Sequence, residues 1–265
     1  MKIYIIMLLM FNTLFAKVYY AKVEPFELRV ISSNVSGLIL QANEDLIGKV
    51  LSSKPYIEID SVVDMKELKY IRNKLDYMKE TINVNENILE NLEKNLKRKR
   101  ENYKKVQSLK FKSSVEKDRE FSDLISSENL YLNTKKEINN LKIQITDTKL
   151  REVQLIRSIK DKNLKAEGFV LYEMLVKPGQ VVGVSTILAK VADISKAKIT
   201  IFLDEQDLIN ASKKIVYIDG KKTPYKISRV LNIADSKNIS KYMAQVIIKS
   251  PKVFSKLVKV ELKDD

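Results

Sequence analysis

The residues of this 265-residue chain that could carry out acid–base chemistry are carboxylates and lysines, because the sequence contains neither cysteine nor histidine. Their absence excludes thiol and imidazole catalysis, disulfide-stapled folds and zinc sites built on those ligands. The densest group of carboxylates is Asp204, Glu205 and Asp207. Three acids at a strand end are more often solvated than catalytic, and no residue near them in the sequence would tune their pKa. We therefore expect a protein that is not an enzyme.

The first sixteen residues have the composition of a secretory signal. Lys2 precedes an apolar run from Ile3 to Phe11, and Ala16 offers a small residue for cleavage. The run is shorter than the about 20 apolar residues of a membrane-spanning helix. A cleaved signal predicts a periplasmic protein. Two alternatives stay open: an uncleaved anchor associated with the inner membrane, and a buried N-terminal segment. The anchor is favoured by Leu14, which stands where a cleavage site usually has a small residue.

A long helical segment is predicted for residues 61–165. Neither Gly nor Pro occurs from Tyr56 to Glu167, a stretch of 112 residues. Within it apolar residues recur at alternating spacings of three and four, strongly from Leu68 to Val106 and more weakly from 124 to 159. This spacing is the coiled-coil period, so each half is expected to bury one apolar seam against another helix.

The two periodic stretches are separated by a helix-start signal. Ser113 followed by Glu116 is a capping box, in which the Ser side chain accepts from the Glu backbone N–H and the Glu side chain returns the bond. Helices over 62–109 and 114–163 would each be roughly 70–75 Å long at about 1.5 Å per residue. Equal arms favour an antiparallel hairpin with its tip at about residues 109–114. One long helix in an intermolecular coiled coil is the alternative.

The segments on either side of the hairpin repeat each other. Residues 35–60 align without a gap with the segment that begins at residue 166, which places Gly37 opposite Gly168 and Gly48 opposite Gly179. Each copy has the pattern of two short strands around a turn that requires the positive φ of glycine, so these four glycines are candidate turn residues. Neither copy could bury a core alone. Together they predict one small β domain that the hairpin splits.

The order of these segments resembles that of the periplasmic adaptor proteins, the HlyD-like membrane fusion proteins of tripartite efflux pumps. The resemblance to the split lipoyl domain of that family is carried by Val35–Ile39, Gly48–Val50, Tyr56–Asp60, Gly168–Val170, Lys177–Val182 and Ile187–Val191. The resemblance to its adjoining β-barrel is carried by Ile199–Leu208, Ile227–Asp235 and Val246–Ile248. Many members of the family continue beyond the barrel into a membrane-proximal domain. The segments of this sequence that resemble the family extend only as far as the barrel.

The resemblance implies an elongated α+β fold. A long antiparallel α-helical coiled-coil hairpin, residues 61–165, would be inserted into a split lipoyl (β-sandwich) domain formed by residues 35–60 and 166–194. A small β-barrel, residues 195–265, would follow, and the N-terminal strand of residues 17–34 would join that barrel. Short runs rich in β-branched and aromatic residues after residue 195 independently predict a small antiparallel barrel or sandwich.

The resemblance also implies a role without catalysis or cofactor. Adaptors of this family link an inner-membrane transporter, of RND or ABC type, to a TolC-like outer-membrane channel, and they act as homo-oligomers in efflux or secretion. In the family, the hairpin tip that meets the channel carries Arg-x3-Leu-x6-Ser. Leu109 matches the Leu of this motif, and Lys105 stands at the position of its Arg. Ser113 lies three residues before the position of its Ser. These three are candidate channel-contact residues; the alternative is that Leu109 ends the seam and Ser113 is only a helix cap.

A basic cluster lies close to the predicted tip. Lys94–Arg119 contains eleven basic and three acidic residues in a chain whose formal net charge is +14. Its three interpretations are a solvated face, an electrostatic guide to an acidic partner, and a nucleic-acid site. The cluster lacks interleaved aromatics, and the signal removes the chain from the cytoplasm, so we expect no nucleic acid. The members singled out here are Lys97, Arg98, Arg100, Lys104, Lys110 and Lys112.

Two other functions compete with the adaptor. A biotin- or lipoate-bearing carrier would share the β domain, but the hairpin replaces the turn in which the modified lysine would sit. A periplasmic coiled-coil spacer that needs no transporter would share the hairpin and would contact cell-wall material instead. The spacer is kept as the alternative function.

Overall fold

The computed structural model describes residues 17–234 and 240–264. The signal predicted for residues 1–16 lies outside the described residues. Within those two ranges, no helix combines the length and the apolar character that crossing a bilayer requires.

Two long helices divide the strands of the chain into two groups. The helices are α1 (Val62–Ser108), α2 (Ser114–Lys162) and the short α3 (Glu205–Leu208). The strands are β1 (Val18–Ser32), β2 (Gly37–Ala42), β3 (Ile57–Ile59), β4 (Asn163–Leu164), β5 (Val170–Met174), β6 (Val181–Val182), β7 (Ile187–Leu203), β8 (Ile215–Ile218), β9 (Lys221–Lys222), β10 (Ile227–Ala234), β11 (Tyr242–Lys249) and β12 (Leu257–Lys263).

The helices α1 and α2 pack antiparallel along their apolar seams. Ion pairs between them mark the register near both ends: Arg151 Nη2 lies 2.7 Å from Glu67 Oε1 near the base, and Arg100 Nη2 lies 2.7 Å from Glu128 Oε1 near the tip. The hairpin that the coiled-coil period predicts is therefore formed within one chain. The buried seam side chains are Leu75, Met78, Ile82 and Leu96 on α1 and Leu124, Ser127, Ile138, Thr148 and Leu155 on α2.

A half-buried ion pair between Asp64 and Lys162 closes the base of the hairpin. Asp64 accepts hydrogen bonds from Lys162 and, at 3.0 Å, from Ser158. Burial acts to raise the pKa of Asp64, but the bonds from Lys162 and Ser158 outweigh it and hold that pKa below its usual value. The Asp64 carboxylate therefore contributes stability that is present above the pKa of the unfolded chain.

This pKa shift predicts how acid affects the hairpin base. The contribution of Asp64 is lost as pH falls through its lowered folded-state pKa, below about pH 4. We expect the difference in free energy of unfolding between the wild type and Asp64→Asn to shrink as pH falls from about 7 to about 2. Urea unfolding followed by circular dichroism at each pH measures it. A difference that stays constant over this range would contradict the role of the ion pair.

The strands on either side of the hairpin build one shared core at its base. In the first segment β2 pairs with β3, and it also pairs with β6 of the second segment through Gly37↔Val182. Strand β3 pairs with β4, which follows α2 directly. The core takes Ile39, Leu51, Tyr56, Ile57 and Ile59 from the first segment and Leu171, Val176, Val182, Leu188, Ala189 and Val191 from the second.

Gly37 departs from the expected role of the repeat glycines. Gly48, Gly168 and Gly179 have positive φ angles of 81°, 83° and 87°, as turns of this kind require. Gly37 instead opens β2, and a Cβ at this position would lie 2.6 Å from Ile59 Cγ2. Its hydrogen side chain permits the close approach of β2 and β3, which corrects the turn assignment made for Gly37.

The C-terminal strands and β1 form one antiparallel sheet that is not closed. The strands follow the order β10–β11–β7–β1–β12–β8–β9, and β5 pairs with β7 beside this path. Among the described residues no ladder joins β10 to β8 or β9, so the barrel expected for residues 195–265 is open. A short 3₁₀ helix, Ala211–Lys213, packs against β10 at this place instead. The core includes Tyr19, Ala21, Val23, Ala197, Ile199, Ile201, Leu203, Ala211, Val216, Ala244, Val246, Val258 and Val260.

Two long strands connect the hairpin-base core to the C-terminal core. β1 and β7 pair from Val23↔Ile199 to Ser32↔Ile187, with a register shift after Pro25. β7 contributes side chains to both cores and pairs with β1 along its length. The β unit at the hairpin base and the C-terminal sheet therefore share one two-stranded ribbon.

Candidate functional site

The tip of the hairpin is a five-residue turn, residues 109–113, between the two long helices. Leu109 follows the last residue of α1 with an extended backbone (φ −81°, ψ 116°), and its N–H donates to the Val106 carbonyl at 3.2 Å. Ser113 is the N-cap of α2. The turn therefore presents Lys110, Phe111 and Lys112 at the end of the rod.

Ser113 holds the first turn of α2 through the capping box that the sequence predicts. Its Oγ accepts from the Glu116 backbone N–H at 3.3 Å, and Glu116 Oε2 accepts from the Ser113 N–H at 3.2 Å. Lys112 Nζ lies 3.0 Å from Glu116 Oε1; its hydrogen bond, followed by that of the Ser113 N–H, keeps the pKa of Glu116 below its usual value. Because Ser113 is engaged in the cap, a bulky replacement there would disturb the turn as well as any docking contact.

The most exposed apolar side chains of the tip are Phe111, 80% exposed, and Val115, 74% exposed. Leu109, the apolar candidate from the sequence, is half-buried at the end of α1. Sequence reasoning missed Phe111 and Val115 because it followed the seam period and the family motif. The available signal was a large apolar residue between a helix end and a helix cap, where no core can cover it.

An aromatic pair supports the tip from below. The rings of Tyr103 on α1 and Phe121 on α2 have centroids 5.5 Å apart and are tilted by 48°. Such tilted pairs stabilise the contact between two helices beyond the area that they bury. The exposed turn is therefore carried on a packed helix pair.

The basic cluster is divided between ion-paired and unpaired side chains. Arg100 pairs with Glu128 and Lys112 with Glu116, and exposed pairs of this kind contribute little to stability. The unpaired cations leave a positive potential at the distal end that can steer an acidic partner. The candidates with no carboxylate within 4 Å, among the residues that the structure describes, are Lys97, Arg98, Lys104, Lys105 and Lys110.

The carboxylates that could have suggested catalysis lie in a network of lysines. Asp204 pairs with Lys17 and Lys241, and Asp207 lies 3.6 Å from Lys214. The hydroxyl of Tyr19 donates to Asp207, and its pKa is raised, first by burial and then by this bond. The acids therefore anchor α3 to the neighbouring strands, as solvated or paired carboxylates at strand ends usually do.

Comparison with known proteins gives matches in structure and none in sequence. No protein-family model matches the chain, and no curated protein matches it. MacA from Actinobacillus actinomycetemcomitans superposes with a TM-score of 0.70 at 17% identity, over 93% of this chain and 78% of that one. The membrane fusion protein Spr0693 from Streptococcus pneumoniae R6 gives 0.65 at 11% identity, over 94% and 100%.

A third match bears on the hairpin itself. A MacA–MexA chimera that contains the α-hairpin domain of Pseudomonas aeruginosa MexA gives a TM-score of 0.55 at 15% identity, over 94% of this chain and 82% of the chimera. At these identities the likeness concerns the fold. The split β core, the inserted hairpin and the C-terminal sheet of this chain together have the fold of the membrane fusion, or periplasmic adaptor, proteins.

Proposed function

We propose that the chain is the adaptor subunit of a tripartite efflux or secretion system, where it links an inner-membrane transporter to a TolC-like outer-membrane channel. The observation that carries this proposal is the hairpin tip, which exposes Phe111 and Val115 among unpaired lysines at the end of two long packed helices. A rod with an apolar, basic end is suited to end-on docking. The fold shared with membrane fusion proteins supports the same role.

In this role the chain contributes geometry and no chemical step. The lysines of the tip would guide it to an acidic rim, and the Phe111 ring would supply the buried apolar contact that fixes it there. The C-terminal sheet, joined to the hairpin base through β1 and β7, would face the transporter, of RND or ABC type. Export of the chain would depend on its N-terminal signal, and several copies would act together.

Crosslinking inside cells tests the proposal from both ends of the molecule. A photoreactive residue at Phe111 is expected to capture an outer-membrane channel, and one at Lys222, exposed on β9, an inner-membrane transporter. A probe at Asn83, exposed midway along α1, serves as the control and should capture neither membrane protein. Capture of cell-wall material alone from position 111 would favour the structural spacer. Capture of no membrane protein from either end would contradict the adaptor role.

A further inference from the structure

A cleft of about 620 Å³ lies where the base of the hairpin meets the strands on either side of it. It is bounded by the end of α2, the end of β1, the residues that precede β3, and β4 with the residue that follows it. Its volume is in the range of small-molecule sites, about 300–1,000 Å³, and such sites commonly lie where structural units meet. The cleft therefore has the size and the place of a ligand site.

The walls of the cleft are mainly apolar. Ile31 contributes from β1, Ile156 and Ile159 contribute from α2, and Leu164 contributes from β4. Ile156 is 43% exposed, so the seam between α1 and α2 does not cover its side chain. A ligand with an apolar body would bury these surfaces, and burying one further CH₂ group strengthens binding by about fourfold.

Tyr56 brings an unpartnered hydroxyl to this cleft. The residue lines the cleft and is only 1% exposed, yet its hydroxyl makes no hydrogen bond within the part of the chain that the structure describes. Burial alone raises the pKa of Tyr56 to about 12. Within the same residues, Asn85 Nδ2 is the one side-chain polar atom that is both sealed from solvent and unpartnered. The Tyr56 hydroxyl therefore keeps a small accessible surface, and this surface lies in the cleft.

A buried hydroxyl without a partner is uncommon in folded proteins, because the great majority of buried polar side-chain atoms are hydrogen-bonded. The phenol can donate to an acceptor atom that enters the cleft from outside. The backbone also brings the phenol close to a cation, since the Tyr56 N–H donates to the Leu164 carbonyl at 3.0 Å and Lys165 is the next residue.

The charged side chains of the cleft favour an anion. Lys160 and Lys165 are exposed, and neither has a carboxylate within 4 Å among residues 17–234 and 240–264. Asp161 lies 3.7 Å from Arg157, so its charge is already matched. The two lysines leave a positive potential at the rim of the cleft. The other polar side chains that line it are neutral: Ser32, Asn34 and Asn163.

We propose that this cleft binds an anionic amphiphile, a molecule with one carboxylate head and an apolar body. The head would accept a hydrogen bond from the Tyr56 hydroxyl and lie close to Lys165 and Lys160, and such charge-assisted bonds are stronger than those between neutral groups. The body would lie against the isoleucines of β1 and α2. The proposal concerns the chain itself and does not depend on the adaptor role.

Calorimetric titration of the full chain with sodium dodecanoate, kept below its micelle concentration, tests the proposal. One site per chain is expected, and the affinity should rise about fourfold for each methylene from octanoate to dodecanoate. Dodecyltrimethylammonium has the same apolar chain and a cationic head, and it should bind at least about tenfold more weakly. Equal binding of the two amphiphiles would overturn the assignment of an anionic head.

Substitutions assign the binding to this cleft. Tyr56→Phe removes one unpartnered oxygen, so it should preserve the fold and weaken dodecanoate binding at least about tenfold. Lys160→Gln with Lys165→Gln should weaken binding to a similar degree and make it less sensitive to salt. The matched control is Lys49→Gln with Lys177→Gln, two exposed lysines outside the cleft, which should bind as the wild type does.

Circular dichroism verifies that each variant keeps its helix content. No binding of dodecanoate to the wild type, or wild-type affinity in both cleft variants, would overturn the proposal. Neither the ligands nor the variants involve a transporter or a channel. Failure of this inference is therefore distinct from failure of the adaptor role.

Discussion

Replacing Phe111 with aspartate is expected to abolish docking of the hairpin tip while the protein stays folded. The Phe111 ring is 80% exposed, so its removal leaves no cavity and breaks no packing in the free protein. Aromatic anchors at the centre of protein interfaces contribute about 2 kcal/mol or more, which corresponds to a loss of binding of about thirty-fold. The new carboxylate would in addition repel an acidic partner. The measurement is the yield of channel crosslinked from a photoreactive residue at Val115, with helix content as the test of folding.

A matched control separates docking from general exposure of an aromatic residue. Tyr172 on β5 is 58% exposed and lies in the β unit at the hairpin base, away from the tip, so Tyr172→Asp should leave the crosslink yield unchanged. Phe111→Ala should give an intermediate yield, because it removes the ring without adding charge. An undiminished yield with Phe111→Asp would show that the tip does not bind through this side chain, and Lys105, Leu109 and Ser113 would then be the remaining candidates.

Replacing Leu188 with alanine is expected to destabilise the core at the hairpin base by about 2–5 kcal/mol. Leu188 has no exposed surface and lies on β7, in the core that both repeat segments share. Ile57, also fully buried, belongs to the other segment, and Ile57→Ala should weaken the same unfolding transition. Urea unfolding followed by tyrosine fluorescence measures both, since the chain contains 12 Tyr and no Trp.

The neighbouring residue in the same strand supplies the control. Ile187 is 48% exposed, so Ile187→Ala should change the free energy of unfolding by no more than about 0.5 kcal/mol. If Ile57→Ala and Leu188→Ala were to shift two separate transitions, the segments before and after the hairpin would not form one cooperative core.

The hairpin could be predicted closely because its signals are local. The seam period and the absence of Gly and Pro predict helices over 62–109 and 114–163, and the structure has Val62–Ser108 and Ser114–Lys162. The capping box at Ser113 is confirmed in both of its hydrogen bonds. Helix periodicity and caps depend on neighbours within one or two turns, which a sequence displays directly.

The features that sequence missed depend on contacts between distant segments. The role of Gly37 follows from its distance to Ile59, and the gap beside β10 is filled by the 3₁₀ helix at Ala211. Neither contact leaves a periodic trace in the sequence. The exposure of Phe111 was also missed, although it follows from a local feature, the position of the turn between the two helices. The residues assigned to channel contact, Lys105, Leu109 and Ser113, remain a prediction.

The split core has a consequence for the order in which the chain folds. Gly37 pairs with Val182 and Ile57 with Leu164, so strands that meet in this core are more than 100 residues apart in the sequence. Closing so large a loop of flexible chain costs considerable entropy, and contacts of this kind form late. Helices propagate by one local hydrogen bond per residue, and the two arms of the hairpin are neighbours in the sequence, so a folded hairpin returns the chain to its starting point. We therefore expect the hairpin to form first and to act as the template on which the β core assembles.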